Sequence, residues 1–289
     1  MLAASCALVW PAPSASAAKV VRLKLVRTIR TSAFTRPSPD PSGIVYRPGR
    51  HRLLISDSEV DETRRYRGFN LFTARRRGSG FGSGTLLPGN KEPSDLGLNQ
   101  RSGTLYVSND DKDRISRVRP GRDGVHGTRG DLVSNFSTAA FGSTDPEGVE
   151  YDPGSGRVYV CDGLRREVYA VNPGNGHMVT HFDLARYGAR DCEGLGIDRR
   201  GRNRLLAVDW RTNVIYKLSR GGRLLRKLRL SAIPTNRSVV ADVTMAPASN
   251  RHDRPSRMNY WIVDRHVDNK GHPNENDGLL YEMRRPRRR

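Results

Sequence analysis

Carboxylate side chains recur along the chain at the two ends of paired apolar runs. The stretch 145–163 reads DPEGVEYDPGSGRVYVCDG, with Asp145 and Glu147 before the first run and Asp162 after the second. Related stretches begin at Asp40, Glu92 and Asp191, and a degenerate copy begins at Val239. Carboxylates placed in this way either ligate a hard cation such as Ca²⁺ or cap turns by accepting backbone N–H groups. The elements that position them decide between these two chemistries.

The repeat predicts the architecture. The copies align on Ser42, Ser94, Glu147, Glu193 and Ala241, which recur 46 to 53 residues apart. This period is typical of β-propeller blades. The fourth copy shows a complete blade, with apolar runs at 195–197, 205–208, 214–218 and 224–230. We therefore predict an all-β fold, a β-propeller of four-stranded antiparallel blades.

The last copy lacks a fourth strand before the chain ends. The segment KLVRTIRTSAF (24–34) resembles RLLRKLRLSAI (223–233), the fourth strand of the preceding copy. We predict that this N-terminal strand completes the last blade and closes the ring, which removes two sheet edges. Five copies predict five blades. A six-bladed ring is the alternative, and it requires a degenerate blade within 64–92.

The composition is that of a basic globular protein. The chain has 289 residues and a net charge of +20, from 50 basic and 30 acidic residues. Its arginines are scattered and accompany no nucleic-acid motif, so the sequence predicts no specific nucleic-acid partner. The bulk of the chain (19–283) is predicted to form one propeller domain, without a transmembrane segment, and 284–289 (RRPRRR) to form a disordered tail.

Residues 1–18 have features of a signal peptide. An apolar segment, LAASCALVW, precedes the small-residue sequence ASA at 15–17, although the usual positive residues at the start are missing. We expect bacterial-type export to a secreted or cell-surface location. The exported chain then keeps Cys161 and Cys192. Both lie beside repeat carboxylates, so they form either a disulfide between adjacent repeats or two buried free thiols.

The repeats also resemble a known family. DPEGVEYDPGSGRVYVCDGLRREVYAV and CEGLGIDRRGRNRLLAVDWRTNVIYKL resemble NHL-type repeats and the related gluconolactonase-like, calcium-dependent propellers. FGSTDPEGV and IVDRHVDNKGHPNENDG look like segments of exported bacterial propellers of unassigned function. The resemblance covers about residues 24–283 and is specific for the fold rather than for a reaction.

The resemblance implies an acidic face. In such blades the residue before strand one and the residue after strand two meet at the same end of the channel. This gathers Asp40, Glu92, Asp145, Glu147, Asp191 and Glu193 with Asp57, Asp110, Asp162, Asp209 and Asp264. The related propellers hold a divalent ion there, which implies Ca²⁺ ligands at the channel mouth: Glu147, Glu193, Asp162 and Asp209. The alternative is that these acids cap turns, which we favour for Asp40, Asp145 and Asp191, whereas we favour a functional role for Glu147 and Glu193.

Two loops offer further cation ligands. The loop 264–278 supplies Asp264, Asp268, Asn274, Asn276 and Asp277, and the loop 57–62 supplies Asp57, Glu59 and Asp61. Neither has EF-hand spacing, and solvated polar loops are the competing interpretation.

The sequence leaves open whether the protein is an enzyme. It contains no G-x-S-x-G, H-E-x-x-H or P-loop motif. We therefore favour an exported, Ca²⁺-stabilised propeller that binds a ligand or partner protein at its acidic face without catalysis. The alternative is a metal-dependent hydrolase of the lactonase or esterase type, with Glu147 and Glu193 holding the ion. A further alternative is electrostatic adhesion of the arginine-rich surface to an anionic cell-wall polymer.

Overall fold

Every extended element of the protein is a short β-strand. The computed structural model describes residues 18–60, 63–86, 89–200, 202–234, 238–254, 256–267, 271–272 and 274–286. Its strands are β1 (Val20–Arg22), β2 (Lys24–Arg30), β3 (Pro41–Arg47), β4 (Arg52–Asp57), β5 (Leu71–Ala74), β6 (Gly80–Gly84), β7 (Leu96–Leu98), β8 (Leu105–Asn109), β9 (Arg114–Arg119), β10 (Leu132–Ser137), β11 (Pro146–Asp152), β12 (Arg157–Asp162), β13 (Glu167–Val171), β14 (Met178–Asp183), β15 (Gly194–Asp198), β16 (Arg204–Asp209), β17 (Val214–Leu218), β18 (Leu224–Arg229), β19 (Val240–Pro247), β20 (Met258–Asp264) and β21 (Leu279–Arg284).

Helical structure in the described ranges is confined to five 3₁₀ turns. They are Thr31–Ala33, Pro48–Arg50, Asp110–Lys112, Ala139–Phe141 and Ala185–Tyr187. Across the same ranges, no helix has both the length and the apolar character needed to cross a bilayer. The proposed signal segment lies outside the described residues except for Ala18, as do the last three arginines of the basic tail.

The strands form the five blades of a β-propeller, as predicted. Blade 1 is β3–β6, blade 2 is β7–β10, blade 3 is β11–β14 and blade 4 is β15–β18. Residues 64–92 supply β5 and β6 to blade 1 and hide no further blade, so the six-bladed alternative is wrong. Strand β1 adds to the outer edge of blade 4, parallel to β18.

The N-terminal strand closes the ring. Blade 5 consists of β19, β20 and β21 with β2 as its outer strand. Thr28 pairs with Tyr281 and Ile29 with Leu280 in an antiparallel register. Ile29 and Leu280 pack into the same apolar cluster as Trp261. The predicted closure is confirmed.

The apolar cores lie between neighbouring blades, because each strand alternates its side chains between two faces. In β12, Val158 and Val160 pack toward blade 2, whereas Tyr159 and Cys161 pack toward blade 4. Each blade is thus covered on both faces, which accounts for the apolar runs in the second strands.

One backbone N–H from the innermost strand of each blade is directed at a carboxylate in the centre of the ring. Two side chains, Asp95 and Asp242, accept all five bonds. The bonds are Leu96 N to Asp95 Oδ1 (2.6 Å), Val149 N to Asp95 Oδ2 (2.7 Å), Leu195 N to Asp95 Oδ2 (3.0 Å), Ile44 N to Asp242 Oδ2 (2.7 Å) and Val243 N to Asp242 Oδ1 (2.6 Å). The pair therefore connects all five blades.

The space for this central pair comes from glycines at the equivalent positions of the other blades. The aligned column reads Gly43, Asp95, Gly148, Gly194 and Asp242. A Cβ atom at Gly43 would lie 2.6 Å from Cα of Asp95, and one at Gly194 would lie 2.8 Å from Cα of Asp242. Side chains at these positions would force the inner strands apart.

The carboxyl groups of the two central aspartates are in hydrogen-bond contact, and because a carboxylate can only accept, this contact requires the pair to hold a proton. Both are fully buried, with 0% of their surface exposed. Burial raises the pKa of Asp95 to about 6. Burial and then the charge of Asp95 raise the pKa of Asp242 well above its usual range. Two facing carboxylates without this proton would repel each other in a medium of low dielectric constant.

We predict that the central pair makes folding stability fall as the pH rises. A carboxyl group whose pKa is raised on folding adds stability below its unfolded pKa near 4, and this is lost as the pH rises through the folded value. The Asp242→Asn amide still donates to Asp95 but does not titrate, and it leaves one N–H short of an acceptor. The variant should lose about 1–3 kcal/mol at pH 5 relative to wild type. The difference in free energy of unfolding between the variant and the wild type should narrow by pH 8. Urea unfolding at several pH values between 5 and 8 measures it.

Asp198→Asn is the matched control, because Asp198 is also fully buried but titrates in the opposite sense. Although burial opposes the shift, hydrogen bonds from Arg200 (2.8 Å) and Lys217 (2.5 Å) lower the pKa of Asp198 to about 2. The contribution of the Asp198 carboxylate to folding stability is present above pH 4 and is lost as the pH falls toward 2. A gap between Asp242→Asn and wild type that stays constant from pH 5 to pH 8 would contradict the shared proton.

Candidate functional site

Carboxylates from blades 2, 3 and 4 converge at one end of the central channel. This end of the ring carries the loops that join the second and third strands of each blade. We call Asp110, Asp145, Glu147, Asp191 and Glu193 the acidic mouth. One carboxylate oxygen from each of Asp110, Asp145 and Glu147 lies within 4.8 Å of the others. Oxygens at this spacing are close enough to ligate a single cation.

A glycine keeps the acidic mouth open. A Cβ atom at Gly163 would lie 2.7 Å from Asp145 Oδ2, 3.1 Å from Asp191 Oδ1 and 3.1 Å from Cγ of Glu147. A side chain at Gly163 would therefore fill the space toward which these three acids converge. Asp145 is held at this point because the Leu164 N–H donates to its Oδ2 at 2.8 Å. Asp110 is held by the Ser94 hydroxyl at 2.9 Å.

Crowding raises the pKa values of the carboxyl groups in and beside the mouth. Burial, and then the charge of Glu193, raises the pKa of Glu147 well above its usual range. Burial, opposed by the Leu164 bond and assisted by nearby acids, also raises the pKa of Asp145. Next to the mouth, burial and the charge of Asp110 raise the pKa of Glu92 to about 9. These groups need either protons or a cation to relieve their repulsion.

Arginine side chains neutralise one side of the mouth. The Arg265 guanidinium forms an ion pair with Glu193. Burial nevertheless raises the pKa of Glu193 to about 7, with Arg265 opposing the shift. Asp191 accepts from Arg211 Nε at 2.9 Å and from the Trp210 indole at 3.1 Å. Among the described residues, Asp110, Asp145 and Glu147 form no ion pair, so the charge without a paired cation lies on their side of the mouth.

The aspartates that end the second strands hold turns. Asp162 accepts the Ser143 hydroxyl (2.9 Å) and the Arg165 N–H (2.6 Å). Asp209 accepts the Arg190 N–H at 2.9 Å and the Thr212 N–H at 3.1 Å. Each carboxylate thus joins the segment before strand one to the turn after strand two. The structure places these two proposed ligands outside the group formed by Asp110, Asp145 and Glu147.

Blade 2 departs from this arrangement. Its second strand ends at Asn109, and Asp110 follows one residue later in a 3₁₀ turn. The Asn109 amide donates to Asn90 at 2.5 Å inside the blade. Asp110 therefore does not join the segment before strand one to the turn after strand two, as Asp162 and Asp209 do. Its carboxylate reaches the mouth instead.

The loop candidates do not belong to the group formed by Asp110, Asp145 and Glu147. Asp264 is buried and accepts the Val239 and His266 N–H groups, each at 2.9 Å. Asp277 Oδ2 lies 2.8 Å from His266 Nδ1, and the Asn276 amide donates to Ser32 O at 3.3 Å. The Asn274 carbonyl lies 3.5 Å from the Tyr66 hydroxyl.

In the loop 57–62, the proposed ligands Asp57 and Glu59 are both buried. Asp57 accepts the Ser38 hydroxyl at 2.7 Å and the Asp40 N–H at 3.0 Å, so it clasps blade 1. Glu59 Oε1 lies 3.4 Å from the Ser58 hydroxyl. The proposed ligands Asp61 and Asp268 lie outside the described residues.

A disulfide lies behind the mouth. Cys161 precedes Asp162 in blade 3, Cys192 follows Asp191 before blade 4, and the two sulfur atoms are bonded. Their Cα atoms are 6.0 Å apart, and both residues are fully buried. The bond joins neighbouring blades within one apolar cluster, beside the segments that carry Asp191 and Glu193.

The sequence interpretation missed the central pair and the residues that neutralise Asp191 and Glu193. The central pair, Asp95 and Asp242, had a visible signal, because these aspartates occupy a column that holds glycine in the other three copies. Arg265 had none, since nothing in its spacing connects it with Glu193 on a different blade.

Comparison with known proteins supports the fold alone. No protein-family model matches the sequence, and no curated protein matches it either. Among solved structures, glutaminyl cyclase from Myxococcus xanthus is similar with a TM-score of 0.57 and 12% identity, over 92% of this chain and 98% of that one. The PQQ-bound aldose sugar dehydrogenase of Streptomyces coelicolor is similar with a TM-score of 0.53 and 12% identity, over 91% of this chain and 98% of that one. A luciferin-regenerating enzyme is similar with a TM-score of 0.52 and 12% identity, over 89% of this chain and 94% of that one.

The fold and the site together define a class: a five-bladed β-propeller with a carboxylate cluster at one mouth of its channel. The specific likeness to NHL-type and gluconolactonase-like propellers stays a prediction from the repeats.

We predict that breaking the disulfide weakens the junction between blades 3 and 4. Cys161→Ala with Cys192→Ala should lower the free energy of unfolding by roughly 2–4 kcal/mol, because the unfolded chain gains loop freedom. Reduction of the wild-type protein should give a similar loss without removing any side chain. Unfolding in urea with and without reductant measures both. A melting curve of the wild type that does not respond to reductant would favour two free thiols.

Proposed function

We propose that the protein is an exported β-propeller that binds a divalent cation at its acidic mouth and, on the same face, a ligand or partner protein, without catalysing a reaction. The observation that carries the proposal is the convergence of Asp110, Asp145 and Glu147, whose carboxylate oxygens lie within 4.8 Å of one another, with open space at Gly163 beside Asp145 and Glu147. The raised pKa values of Asp145 and Glu147 support it, since an ion would neutralise the charges that now repel each other.

Ca²⁺ is the cation that this donor set suits best. Its ligands are all oxygens, and they come from two segments, the turn after β8 and the start of β11, rather than from one rigid element. Ca²⁺ accepts irregular oxygen cages, whereas Mg²⁺ demands a near-octahedral one. Asp110, Asp145 and Glu147 would hold the ion, with Glu193 as a further neighbour that Arg265 now neutralises.

The rim of the mouth supports binding of a larger ligand. Leu164 follows Gly163 and is 76% exposed, while its N–H holds Asp145. Trp210 stands on the other side with its indole bonded to Asp191. Apolar and aromatic surface beside charged groups is typical of binding sites. We infer a ligand that combines an apolar part with a cationic or cation-coordinated part.

Export is a further part of the proposal. It rests on the apolar N-terminal segment and is supported by the Cys161–Cys192 disulfide, since such bonds persist in oxidising compartments.

We predict that Ca²⁺ stabilises the folded protein at pH 7. A site that binds only the folded ring adds about 2.7 kcal/mol when free Ca²⁺ exceeds its dissociation constant a hundredfold. For a chain of this size this raises the melting temperature by a few degrees. Because metal ions compete with protons for carboxylates, the increment should vanish near pH 4. Thermal melts in Ca²⁺ and in EDTA at both pH values measure it.

Two variants locate the effect. Glu147→Gln should abolish the Ca²⁺-dependent increment, because it removes a charged ligand from the cluster. Glu167→Gln is the matched control: Glu167 lies in β13 of the same blade and pairs with His181, away from the mouth. Identical wild-type melts in Ca²⁺ and EDTA would refute the metal site, and a loss in both variants would refute its location.

A metal-dependent lactonase or esterase is the second candidate. Glu193 favours it, because its pKa of about 7 suits proton transfer at neutral pH. Beside it, the Arg265 guanidinium is placed to bind an anionic group. A divalent ion in the mouth would supply Lewis-acid polarisation of an ester carbonyl.

We expect no turnover from a panel of lactones, aryl esters and phosphate esters assayed with Ca²⁺ at pH 7. Turnover that EDTA abolishes, and that Glu193→Gln lowers by at least about a hundredfold as the loss of an acid–base group does, would replace binding with hydrolysis. Glu167→Gln serves again as the control, and activity lost equally in this variant would point to a contaminant.

A further inference from the structure

Arginines converge on the seam between blades 5 and 1, at the end of the ring opposite the acidic mouth. The loops β3–β4, β5–β6 and β19–β20 meet there, because they join the other ends of the strands. Two adjoining cavities of about 420 and 450 Å³ share Arg77, Ser249, Asn250 and Arg251. We call the following set the arginine seam: Arg27, Arg52, Arg75, Arg76, Arg77, Arg251 and Arg254.

Buried contacts fix the walls of the arginine seam. Arg76 of blade 1 donates to the carbonyls of Pro247 (3.0 Å) and Ala248 (2.8 Å) in blade 5. The fully buried Glu282 accepts the Ser249 N–H at 3.0 Å and also the Ser249 hydroxyl. The loop that carries Arg251 and Arg254 is thus anchored to β21, so the seam is a built groove rather than a set of independent surface side chains.

The positive charge of the seam has no counterpart within it. Asp253 is the one carboxylate among the described lining residues, and it pairs with Arg257 at 2.7 Å. In the described part of the chain, no ion pair joins a seam arginine to an acid. Arg75, Arg77, Arg251 and Arg254 are exposed. Like charges held together without partners repel, and a bound polyanion would relieve this repulsion.

The composition of the lining indicates the chemistry of that polyanion. All the cationic side chains of the seam are guanidiniums, with His51 and His252 beside them and no lysine. The planar guanidinium fork binds phosphate oxygens in pairs. Among the described residues of the lining there is no Phe, Tyr or Trp on which a nucleobase would stack. Two adjoining cavities that share one wall favour a chain over a single ion.

We propose that the arginine seam binds a linear phosphate polymer without bases, such as a polyol-phosphate or polyphosphate chain. This site is separate from the acidic mouth, and it requires no cation. The proposal therefore stands or falls independently of the function assigned to the mouth.

Binding of inorganic polyphosphate in EDTA tests the proposal. The affinity should fall with rising salt between about 50 and 200 mM, with a slope that reports the phosphates contacted. Arg75→Gln with Arg77→Gln changes one wall, and Arg251→Gln with Arg254→Gln changes the other. Each pair should reduce the slope by about 2, one for each arginine removed. Arg76 is left in place because it joins the blades.

Arg101→Gln with Arg119→Gln is the control, since these two exposed arginines of blade 2 carry the same charge but do not line the seam. It should leave the slope unchanged, and all variants should melt like the wild type. Absence of binding at about 50 mM salt, or an equal loss in the control, would overturn the proposal. Tighter binding of oligothymidylate or polyglutamate of matched charge would replace phosphate-chain recognition with a nucleic-acid or polycarboxylate site.

Discussion

The ring depends on five inward-directed N–H groups that meet where the inner strands are closest. A buried N–H without an acceptor costs about as much free energy as a lost hydrogen bond. A closed ring without acceptors at its centre would carry this cost five times, once for each blade. Asp95 and Asp242 supply four oxygens for these five donors. Two acids suffice because glycine occupies the other three positions, and the shared proton lets the acids touch.

The geometry of the acidic mouth follows from this centre. Glu147 and Glu193 stand one residue before Gly148 and Gly194, so the register that directs the N–H groups inward also sets where these carboxylates emerge. The same position holds Ser42, Ser94 and Ala241 in the other blades. The charge is consequently confined to one side of the channel. Asp110 directly follows Asn109, which occupies the strand-end position that aspartate holds in the other four blades.

The blade count and the closure by β2 were predictable, because both depend on a repeat that is local in sequence. Turn capping was expected of Asp40, Asp145 and Asp191, whereas the structure shows it at Asp162 and Asp209, which were expected to ligate a cation. A carboxylate next to a turn has the same sequence signature whether it binds backbone N–H groups or a cation. The pairing of Arg265 with Glu193 was not predictable, because it depends on the relative tilt of two blades. The central pair could have been predicted, because the aligned position holds glycine in three blades and aspartate in two. An aspartate side chain fits at the centre of the ring only in the space that the glycines leave empty.

The strand that completes blade 5 also affects how the ring assembles. About 250 residues separate Thr28 from its partner Tyr281, so this pairing has one of the longest chain separations in the fold. Closing so long a loop carries a large entropic cost, and topologies dominated by such contacts fold slowly. During synthesis β2 emerges early and has no partner until the last blade exists. For that interval the nascent chain exposes an unpaired strand and an open sheet edge, which is the state in which β-rich chains aggregate or recruit chaperones.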